Sequence, residues 1–182
     1  MISAIVAVDE NWGIGFNGEL LEKIPNDLKH FKELTIGDGN NAIVMGKKTY
    51  NSTKRLPSRK NIIISRHGAC GEDYGEEQCI HYANSNISFM TLDYFLKKCN
   101  FYHLCCCKNI FIIGGGQIYK ELLPLCDRVY VTKIFKEHEN VDTYFPNLDE
   151  PEEWNTWKVV EQSKTYIYND IMYQFWTYDR VN

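Results

Sequence analysis

The sequence predicts an α/β fold: a single domain over residues 1–182 with a central, mostly parallel sheet, an antiparallel C-terminal edge strand and helices on both faces. Short apolar runs alternate with helical patterns along most of the chain, which is typical of parallel sheets. The run Ile110–Ile113 precedes three glycines and a helical pattern, as expected for a strand buried on both faces. Two β-rich stretches flank Tyr168-Asn169-Asp170 in the tail, which predicts a terminal antiparallel hairpin.

Each predicted strand before the tail is a short run of mainly β-branched and other apolar residues. These runs are Ile2–Val8, Asn41–Met45, Lys60–Ser65, Ile110–Ile113 and Asp127–Phe135. The first lacks the basic start and the cleavage site of a signal peptide, so we interpret it as a strand.

Four helices are predicted between these strands. Pro25 suits a first helical turn, where its missing N–H is not needed, and Leu28, Phe31 and Leu34 follow it on one helical face. The other helices are Lys47–Thr53, the segment from the N-cap Thr91 to Cys99, and Gln117–Leu123.

Size and composition argue against several classes of protein. The 182 residues are 44% hydrophobic and carry a net charge of −4. That is enough for a core, and the scattered cations form no stripe for a nucleic acid. No apolar run approaches the length of a membrane span. The seven cysteines contain no C-x-x-C pair, so we expect reduced thiols in a cytoplasmic protein and no metal site.

The three glycines after Ile113 are the strongest functional signal. One glycine would suffice for a tight turn, whereas a triplet removes every Cβ from the strand end and lets a ligand approach the backbone closely. Gly46-Lys47-Lys48-Thr49 forms a second strand–glycine–helix turn, and Ser65-Arg66 ends another strand. These turns together favour a dinucleotide, and the arginine suits a ribose 2′-phosphate, hence NADP rather than NAD. Each cation alone is more often a solvated surface charge.

A G-x-G-x-x-G pattern, Gly13–Gly18, follows the first strand. The dinucleotide fingerprint requires a helix to open inside the motif, and Pro25 delays the helix here. We interpret the pattern as a mobile loop and not as a phosphate-binding turn.

Asp27 lies in the first turn of the helix that begins at Pro25. An acid at this position most often interacts with the helix dipole, and catalysis is the less common interpretation. Both stay open on the residues alone.

Six motifs occur in a fixed order along the chain. They are Ile2–Ala7, Gly13–Gly15, Ile24–Lys32, Val44–Thr49, Leu56–Asn61 and Ile112–Tyr119. In this order and spacing the chain resembles dihydrofolate reductase over its whole length, including Asp142–Pro146 and the tail. The resemblance implies reduction of 7,8-dihydrofolate to tetrahydrofolate by hydride transfer from NADPH, which supplies one-carbon carriers for thymidylate and purine synthesis. We expect a monomer that binds this small-molecule substrate.

The resemblance also implies roles at the substrate. Asp27 would pair with the pterin and support its protonation, aided by a hydrogen bond from Thr132, and Arg59 would grip the glutamate α-carboxylate. The further implied substrate contacts are Ile5, Ala7, Leu28, Phe31, Ile113 and Tyr119.

At the cofactor, the resemblance implies a cis peptide between Gly114 and Gly115 and a lid, from Asp9 to Ile24, that closes on the nicotinamide. The implied NADPH contacts are Ala7, Ile14, Gly15, Gly46, Lys47, Lys48, Thr49, Ser65, Arg66, Gly114, Gly115, Gly116, Gln117, Ile118 and Tyr119.

One segment departs from the family pattern. The family usually carries Pro-Trp or a similar pair where this chain has Leu21-Glu22-Lys23, and the tryptophan often helps hold a water near the catalytic carboxylate. Trp12 lies too early in the chain to replace it. We expect Glu22 to face solvent when the lid is open.

Two other functions are considered. A related pyrimidine reductase of riboflavin synthesis shares the fold and NADPH, but the pair of Asp27 and Arg59 favours a pterin-glutamate. A non-catalytic folate- or nucleotide-binding module would keep the glycine turns and lose turnover, and the replaced Pro-Trp pair is the feature that lends it weight.

Overall fold

Thirteen strands and four α-helices make up the part of the chain that the computed structural model describes, which is residues 1–66, 79–82, 86–100, 107–150 and 156–181. The strands are β1 (Ile2–Val8), β2 (Gly13–Phe16), β3 (Glu19–Leu20), β4 (Asn41–Gly46), β5 (Lys60–Ile64), β6 (Cys79–Tyr82), β7 (Ile87–Met90), β8 (Asn109–Ile112), β9 (Arg128–Ile134), β10 (Thr143–Tyr144), β11 (Trp157–Gln162), β12 (Tyr166–Tyr168) and β13 (Ile171–Arg180). The helices are α1 (Pro25–Ile36), α2 (Lys47–Thr53), α3 (Leu92–Asn100) and α4 (Gly116–Leu122). Within these ranges, no helix is long and apolar enough to cross a membrane.

The main sheet has ten strands and a parallel centre. Its order is β11-β13-β9-β1-β8-β4-β5-β7-β6, with β12 paired to β13. The strands from β9 to β7 in this order pair in parallel, whereas β13 runs antiparallel to β9 and to β11 and β12. This confirms the predicted parallel core with an antiparallel C-terminal edge.

Hydrophobic cores lie on both faces of this sheet, because alternate residues of a strand point to opposite sides. On one face Val44 belongs to a cluster with Phe95 of α3 and Leu122 of α4. On the other face Met45 lies in a second cluster, against which Phe31 of α1 packs. Helices therefore cover both faces, as predicted.

The local signals locate most elements within one or two residues. Pro25 occupies the first turn of α1, and the Thr91 hydroxyl accepts a hydrogen bond from the Tyr94 N–H at 3.3 Å, as an N-cap does. The terminal hairpin turns at Asn169 and Asp170, both with positive φ (47° and 63°), the backbone that a two-residue hairpin loop requires.

The structure differs from the sequence-based prediction around the first glycine pattern. The segment predicted to be a mobile loop contains β2, which belongs to a separate three-stranded sheet in the order β10-β2-β3. Gly15 pairs there with Thr143, a partner so distant in sequence that no local pattern indicates the strand. The short strands β3, β6, β7 and β10 were not predicted either.

Cys126 is a buried thiol that donates a hydrogen bond to the Leu122 carbonyl at 3.4 Å. Burial raises its pKa to about 12, so it remains a protonated, unreactive thiol at neutral pH. Cys70, Cys105 and Cys106 lie outside the described residues.

Candidate active site

The carboxyl ends of β1, β4, β5 and β8 open into one cleft of about 3450 Å³. Helices α1, α2 and α4 and the β2–β3 hairpin border it. A pocket for one drug-sized ligand measures about 300–1000 Å³, so two ligands can lie side by side in this cleft.

Nearly every residue predicted for the site lines this cleft, although the residues come from segments far apart in sequence. The lining residues among them are Ile5, Ala7, Ile14, Gly15, Asp27, Leu28, Phe31, Gly46, Lys47, Lys48, Thr49, Arg59, Ser65, Arg66, Ile113, Gly115, Gly116, Gln117, Ile118 and Tyr119. Gly114 and Thr132 do not line it.

The two strand–glycine–helix turns lie side by side at this edge of the sheet. The Ile113 N–H donates to the Val44 carbonyl at 2.9 Å, and the Gly46 N–H donates to the Gly114 carbonyl at 2.8 Å. No side chain among the described residues caps the N-terminus of α2 or of α4. The first backbone N–H groups of both helices therefore need partners from outside the helix.

The glycine triplet serves the protein's own packing more than we predicted. Gly114 has φ +103°, and a Cβ there would lie 2.8 Å from the ring of Tyr119. A Cβ on Gly116 would lie 2.8 Å from Thr143 Cγ2. At Gly115 the nearest atom to such a Cβ is Thr49 Oγ1 at 3.4 Å, so Gly115 is the member that packing leaves open for a ligand. The Gly114–Gly115 peptide is cis, as predicted.

A side chain of the main sheet, Thr132, holds the Asp27 carboxylate. The Thr132 hydroxyl of β9, itself buried, donates to Asp27 Oδ1 at 2.5 Å, which is the contact that the family resemblance predicted. Burial raises the pKa of Asp27, while the hydrogen bond from Thr132 and the nearby His30 partly oppose the rise. A half-buried carboxyl in a cleft with a raised pKa is typical of a functional group and favours catalysis over a helix-dipole role.

Arg59 lies at the other end of α1 from Asp27, and it is only 4% exposed. Its Nε donates to the Pro57 carbonyl at 2.9 Å, and a terminal nitrogen donates to the hydroxyl of Thr35. Burial lowers the pKa of the guanidinium, and no carboxylate among the described residues offsets that effect. A guanidinium has five N–H donors, so Arg59 keeps donors and an unpaired positive charge for an anionic ligand.

Tyr119 positions the first strand at the centre of the cleft. Its hydroxyl donates to the Ile5 carbonyl at 2.7 Å, and burial raises the pKa of the phenol, which keeps it a neutral donor. A carbonyl oxygen accepts two hydrogen bonds, so Ile5 retains one position for a ligand.

The cationic end of the cleft lies at β5 and the start of α2. Lys47 Nζ lies 4.6 Å from the centre of the Phe89 ring, a cation–π distance, so its head group has a defined position. Lys48 and Arg66 are exposed and line the cleft. An anion at this end would meet three positive side chains.

Sequence reasoning did not name half of the lining residues, although five of them (Asn17, Gly18, Glu19, Leu20 and Lys23) lie within the predicted lid. The residues not named are Val6, Asn17, Gly18, Glu19, Leu20, Lys23, Lys32, Asn51, Ser52, Thr53, Leu56, Pro57, Ile64, Phe89, Thr91, Leu92, Asp93, Glu121, Asp142 and Thr143. The apolar run Ile87–Met90 is the signal that could have identified β7 and hence placed Thr91 at a strand end beside the cleft. The approach of Asp142 and Thr143 depends on the pairing of β10 with β2, which leaves no local signal.

The expectation that Glu22 faces solvent is wrong. Its side chain is 20% exposed and accepts hydrogen bonds from Lys136 Nζ at 2.6 Å and His138 Nε2 at 3.0 Å. Burial alone would raise the pKa of Glu22, but the hydrogen bonds from Lys136 and His138 outweigh it and lower the pKa. Glu22 is thus an ionised member of a cluster beside the cleft. Trp12 is buried and stacks on Phe145.

The comparisons with known sequences agree with this architecture. A sequence model described as dihydrofolate reductase matches residues 1–180. Dihydrofolate reductase of Bacillus subtilis (strain 168) is 37% identical over 185 residues, a match that covers 100% of this chain and 96% of the relative. The bifunctional dihydrofolate reductase-thymidylate synthase of Daucus carota is 36% identical over 187 residues. That match covers 97% of this chain, which spans about a third (33%) of the carrot protein.

A solved structure has the same fold. Dihydrofolate reductase from Enterococcus faecalis, complexed with NADP(H) and RAB-propyl, superposes with a TM-score of 0.75 at 30% identity, covering 100% of this chain and 97% of that one. Sequence and fold thus agree over the whole length of the chain, which belongs to the dihydrofolate reductase family.

Proposed function

We propose that this chain reduces 7,8-dihydrofolate to 5,6,7,8-tetrahydrofolate with NADPH and so supplies one-carbon carriers for thymidylate and purine synthesis. The observation that carries the proposal is the Asp27 carboxylate, held by Thr132 in the same cleft as the two glycine turns. The initial test is spectrophotometric: NADPH oxidation must depend on added dihydrofolate.

Asp27 is the catalytic residue in this proposal. Its carboxylate accepts hydrogen bonds from the amino group and a ring nitrogen of the pterin, and it supports protonation of the ring during reduction. Thr132 fixes the orientation of the carboxylate, and Leu28 and Phe31 of the same helix supply apolar contacts to the flat rings. Water is excluded by these apolar side chains, which strengthens the charge interaction of Asp27.

Arg59 orients the other end of the substrate. Its guanidinium binds the glutamate α-carboxylate of folate through two parallel hydrogen bonds. The hydroxyl of Thr35, already an acceptor for Arg59, donates to the Phe31 carbonyl at 2.6 Å. Thr35 therefore couples the arginine to the helix that carries Asp27.

The residues present fit NADPH, which supplies the hydride. Gly115 leaves open space where a Cβ would otherwise stand, and the uncapped N-termini of α2 and α4 offer N–H groups to phosphates. Lys47, Lys48 and Arg66 supply the positive charge that a 2′-phosphate requires.

The cofactor preference is a direct test of these cations. We expect NADPH to be favoured over NADH by about 100-fold or more in kcat/KM, because charge-assisted contacts contribute roughly 1.5–3 kcal/mol each. Arg66→Gln should narrow the preference by lowering the NADPH value, while the NADH value serves as the internal control and stays constant. Equal use of the two cofactors by the unmodified protein would contradict the assignment.

The glycine triplet gives a second prediction. Gly114→Ala should lower the free energy of unfolding by about 1–3 kcal/mol, because its positive φ is unfavourable for alanine and the new Cβ meets the Tyr119 ring at 2.8 Å. Gly115→Ala should leave the urea midpoint almost unchanged but weaken NADPH binding in a fluorescence titration. If Gly115→Ala binds NADPH as the unmodified protein does, Gly115 makes no close approach to the cofactor.

We further propose that residues 1–182 form one domain that acts as a monomer in the cytoplasm. The continuous main sheet, whose strands come from both ends of the chain, supports the single domain. Light scattering at micromolar concentration tests the monomer.

A further inference from the structure

One wall of the cleft is a hairpin that does not belong to the main sheet. This wall hairpin, residues 13–20, consists of β2 and β3 and the turn between them. Ile14, Asn17 and Leu20 of the hairpin line the cleft. Strand β10 pairs with β2 along the hairpin, and further contacts hold the segments that enter and leave it.

Both ends of the wall hairpin are attached to one histidine. Asp9 precedes the hairpin, and its Oδ2 lies 3.3 Å from His138 Nδ1. Glu22 follows the hairpin, and its Oε1 lies 3.0 Å from His138 Nε2. The His138 side chain is 13% exposed, and that of Asp9 is fully buried (0%). The imidazole thus bridges the entry and the exit of the hairpin.

Asp9 also orders the beginning of the hairpin. Its Oδ1 accepts hydrogen bonds from the Gly13 N–H at 2.7 Å and from the Asn11 N–H at 3.0 Å. A Cβ on Gly13 would lie 3.0 Å from both carboxylate oxygens, so the carboxylate fits closely against the backbone. A change at His138 is therefore transmitted directly to the first residue of β2.

The two contacts of His138 can both be hydrogen bonds only if both ring nitrogens carry a proton, which a neutral imidazole does not provide. An ionised carboxylate only accepts hydrogen bonds, and a neutral imidazole has a single N–H. Both contacts are hydrogen bonds when the ring is an imidazolium. With a neutral ring, one carboxylate faces a nitrogen lone pair, and the attachment of that end of the hairpin to His138 is lost.

The charges around the ring agree with this count. Among the described residues, Asp9 and Glu22 are the titratable groups that face His138 from the neighbouring segments, and Lys136 reaches the cluster through Glu22 at 2.6 Å. With the imidazolium, the two carboxylates are balanced by two cations. Without it, two carboxylates share one lysine. Glu137 and Glu139, the sequence neighbours of His138, are exposed.

We propose that His138 is a positioning residue that clamps the wall hairpin over the cleft while its imidazole is protonated, and that loss of this proton loosens the wall. Loss of the proton weakens the attachment, so ligand entry and release are faster when the imidazole is neutral.

The test follows backbone hydrogen exchange in the ligand-free protein, so it does not depend on the proposed function. The reporters are the N–H groups of Gly13 and of Asn17, which donates to Asp142 at 2.8 Å, and a β9 amide such as Val131 reports global stability. After correction for intrinsic base catalysis, we expect hairpin protection to fall by about tenfold between pH 5.5 and 8, the size of one charge-assisted hydrogen bond. Unchanged protection over this range would overturn the proposal.

Three variants separate a proton-dependent clamp from an ordinary structural contact. His138→Gln should lose the pH dependence, and Glu139→Gln, the matched charge change on an exposed neighbour, should keep it. Glu22→Gln is the decisive variant, because its amide both accepts and donates and can bond to either form of the imidazole. Its hairpin should be better protected than the unmodified protein at pH 8, although the Lys136 ion pair is lost. Weaker protection of Glu22→Gln at pH 8 would show a purely structural contact and refute the clamp.

Discussion

Replacing Asp27 by asparagine should lower turnover with dihydrofolate at pH 7 by about 100-fold or more, the usual size of a lost general acid–base contribution. Asparagine keeps an acceptor for Thr132 but carries no negative charge to support the protonated pterin. NADPH affinity should change little, because in the proposed site the carboxylate contacts the pterin and not the cofactor. The loss should shrink at low pH, where the pterin arrives already protonated. Single-turnover hydride transfer measured as a function of pH provides this comparison.

Asp93→Asn is the matched control for this variant. Asp93 also lies in the first turn of a helix and also lines the cleft, so it reports a loss of charge near a helix N-terminus without a role in the pterin site. If Asp27→Asn keeps near-normal turnover at pH 7, or if Asp27→Asn and Asp93→Asn lower turnover equally, the helix-dipole interpretation of Asp27 stands.

The same substitution should make the protein more stable at pH 7. The pKa of Asp27 is raised above its ordinary value of 3.8 by burial, so the folded state binds its proton more tightly than the unfolded state does. The unfolding free energy contributed by this group is present below pH 3.8 and is lost as the pH rises through the folded pKa. Asparagine stays neutral and avoids that loss. The stability difference between the variant and the unmodified protein should therefore disappear below about pH 4, which urea titrations at several pH values can establish.

Arg59→Lys should raise the KM for dihydrofolate by roughly 10- to 100-fold, which corresponds to one lost charge-assisted hydrogen bond of about 1.5–3 kcal/mol. Lysine keeps the charge but lacks the planar fork that binds a carboxylate through two parallel bonds. The hydrogen bonds from Arg59 to Pro57 and Thr35 hold that fork in place in the unmodified protein. The KM for a pteridine substrate without the glutamate tail should change little. The measurement is therefore the ratio of the KM change with dihydrofolate to the KM change with this tailless substrate.

Arg55→Lys is the control for this experiment, since Arg55 is an exposed arginine that does not line the cleft. It should leave both KM values unchanged. If Arg59→Lys raises the KM equally for dihydrofolate and for the tailless substrate, Arg59 supports the 57–59 loop and does not bind the substrate carboxylate.

The strands and helices of the main sheet could be predicted from short-range patterns. The apolar run Ile110–Ile113, the proline at the start of α1 and the Asn169-Asp170 turn each depend on residues a few positions apart, and the structure contains the element that each predicts. The order of six such motifs also identified the family, and the resemblance named half of the residues that line the cleft. These signals are readable because backbone conformation responds mainly to its immediate sequence neighbours.

The tertiary structure decided the contacts between residues that are too far apart in sequence for a helix or strand periodicity to relate them. Gly114 and Gly116 proved necessary for packing against Tyr119 and Thr143, where the sequence suggested space for a ligand. Glu22 was expected in solvent, yet His138, 116 positions later, binds it. The sequence by itself determined which local elements form and which family's site they build. Which buried charges meet across the molecule depends on the packing of whole elements, because a charge leaves water only where a partner from another segment compensates for its lost hydration.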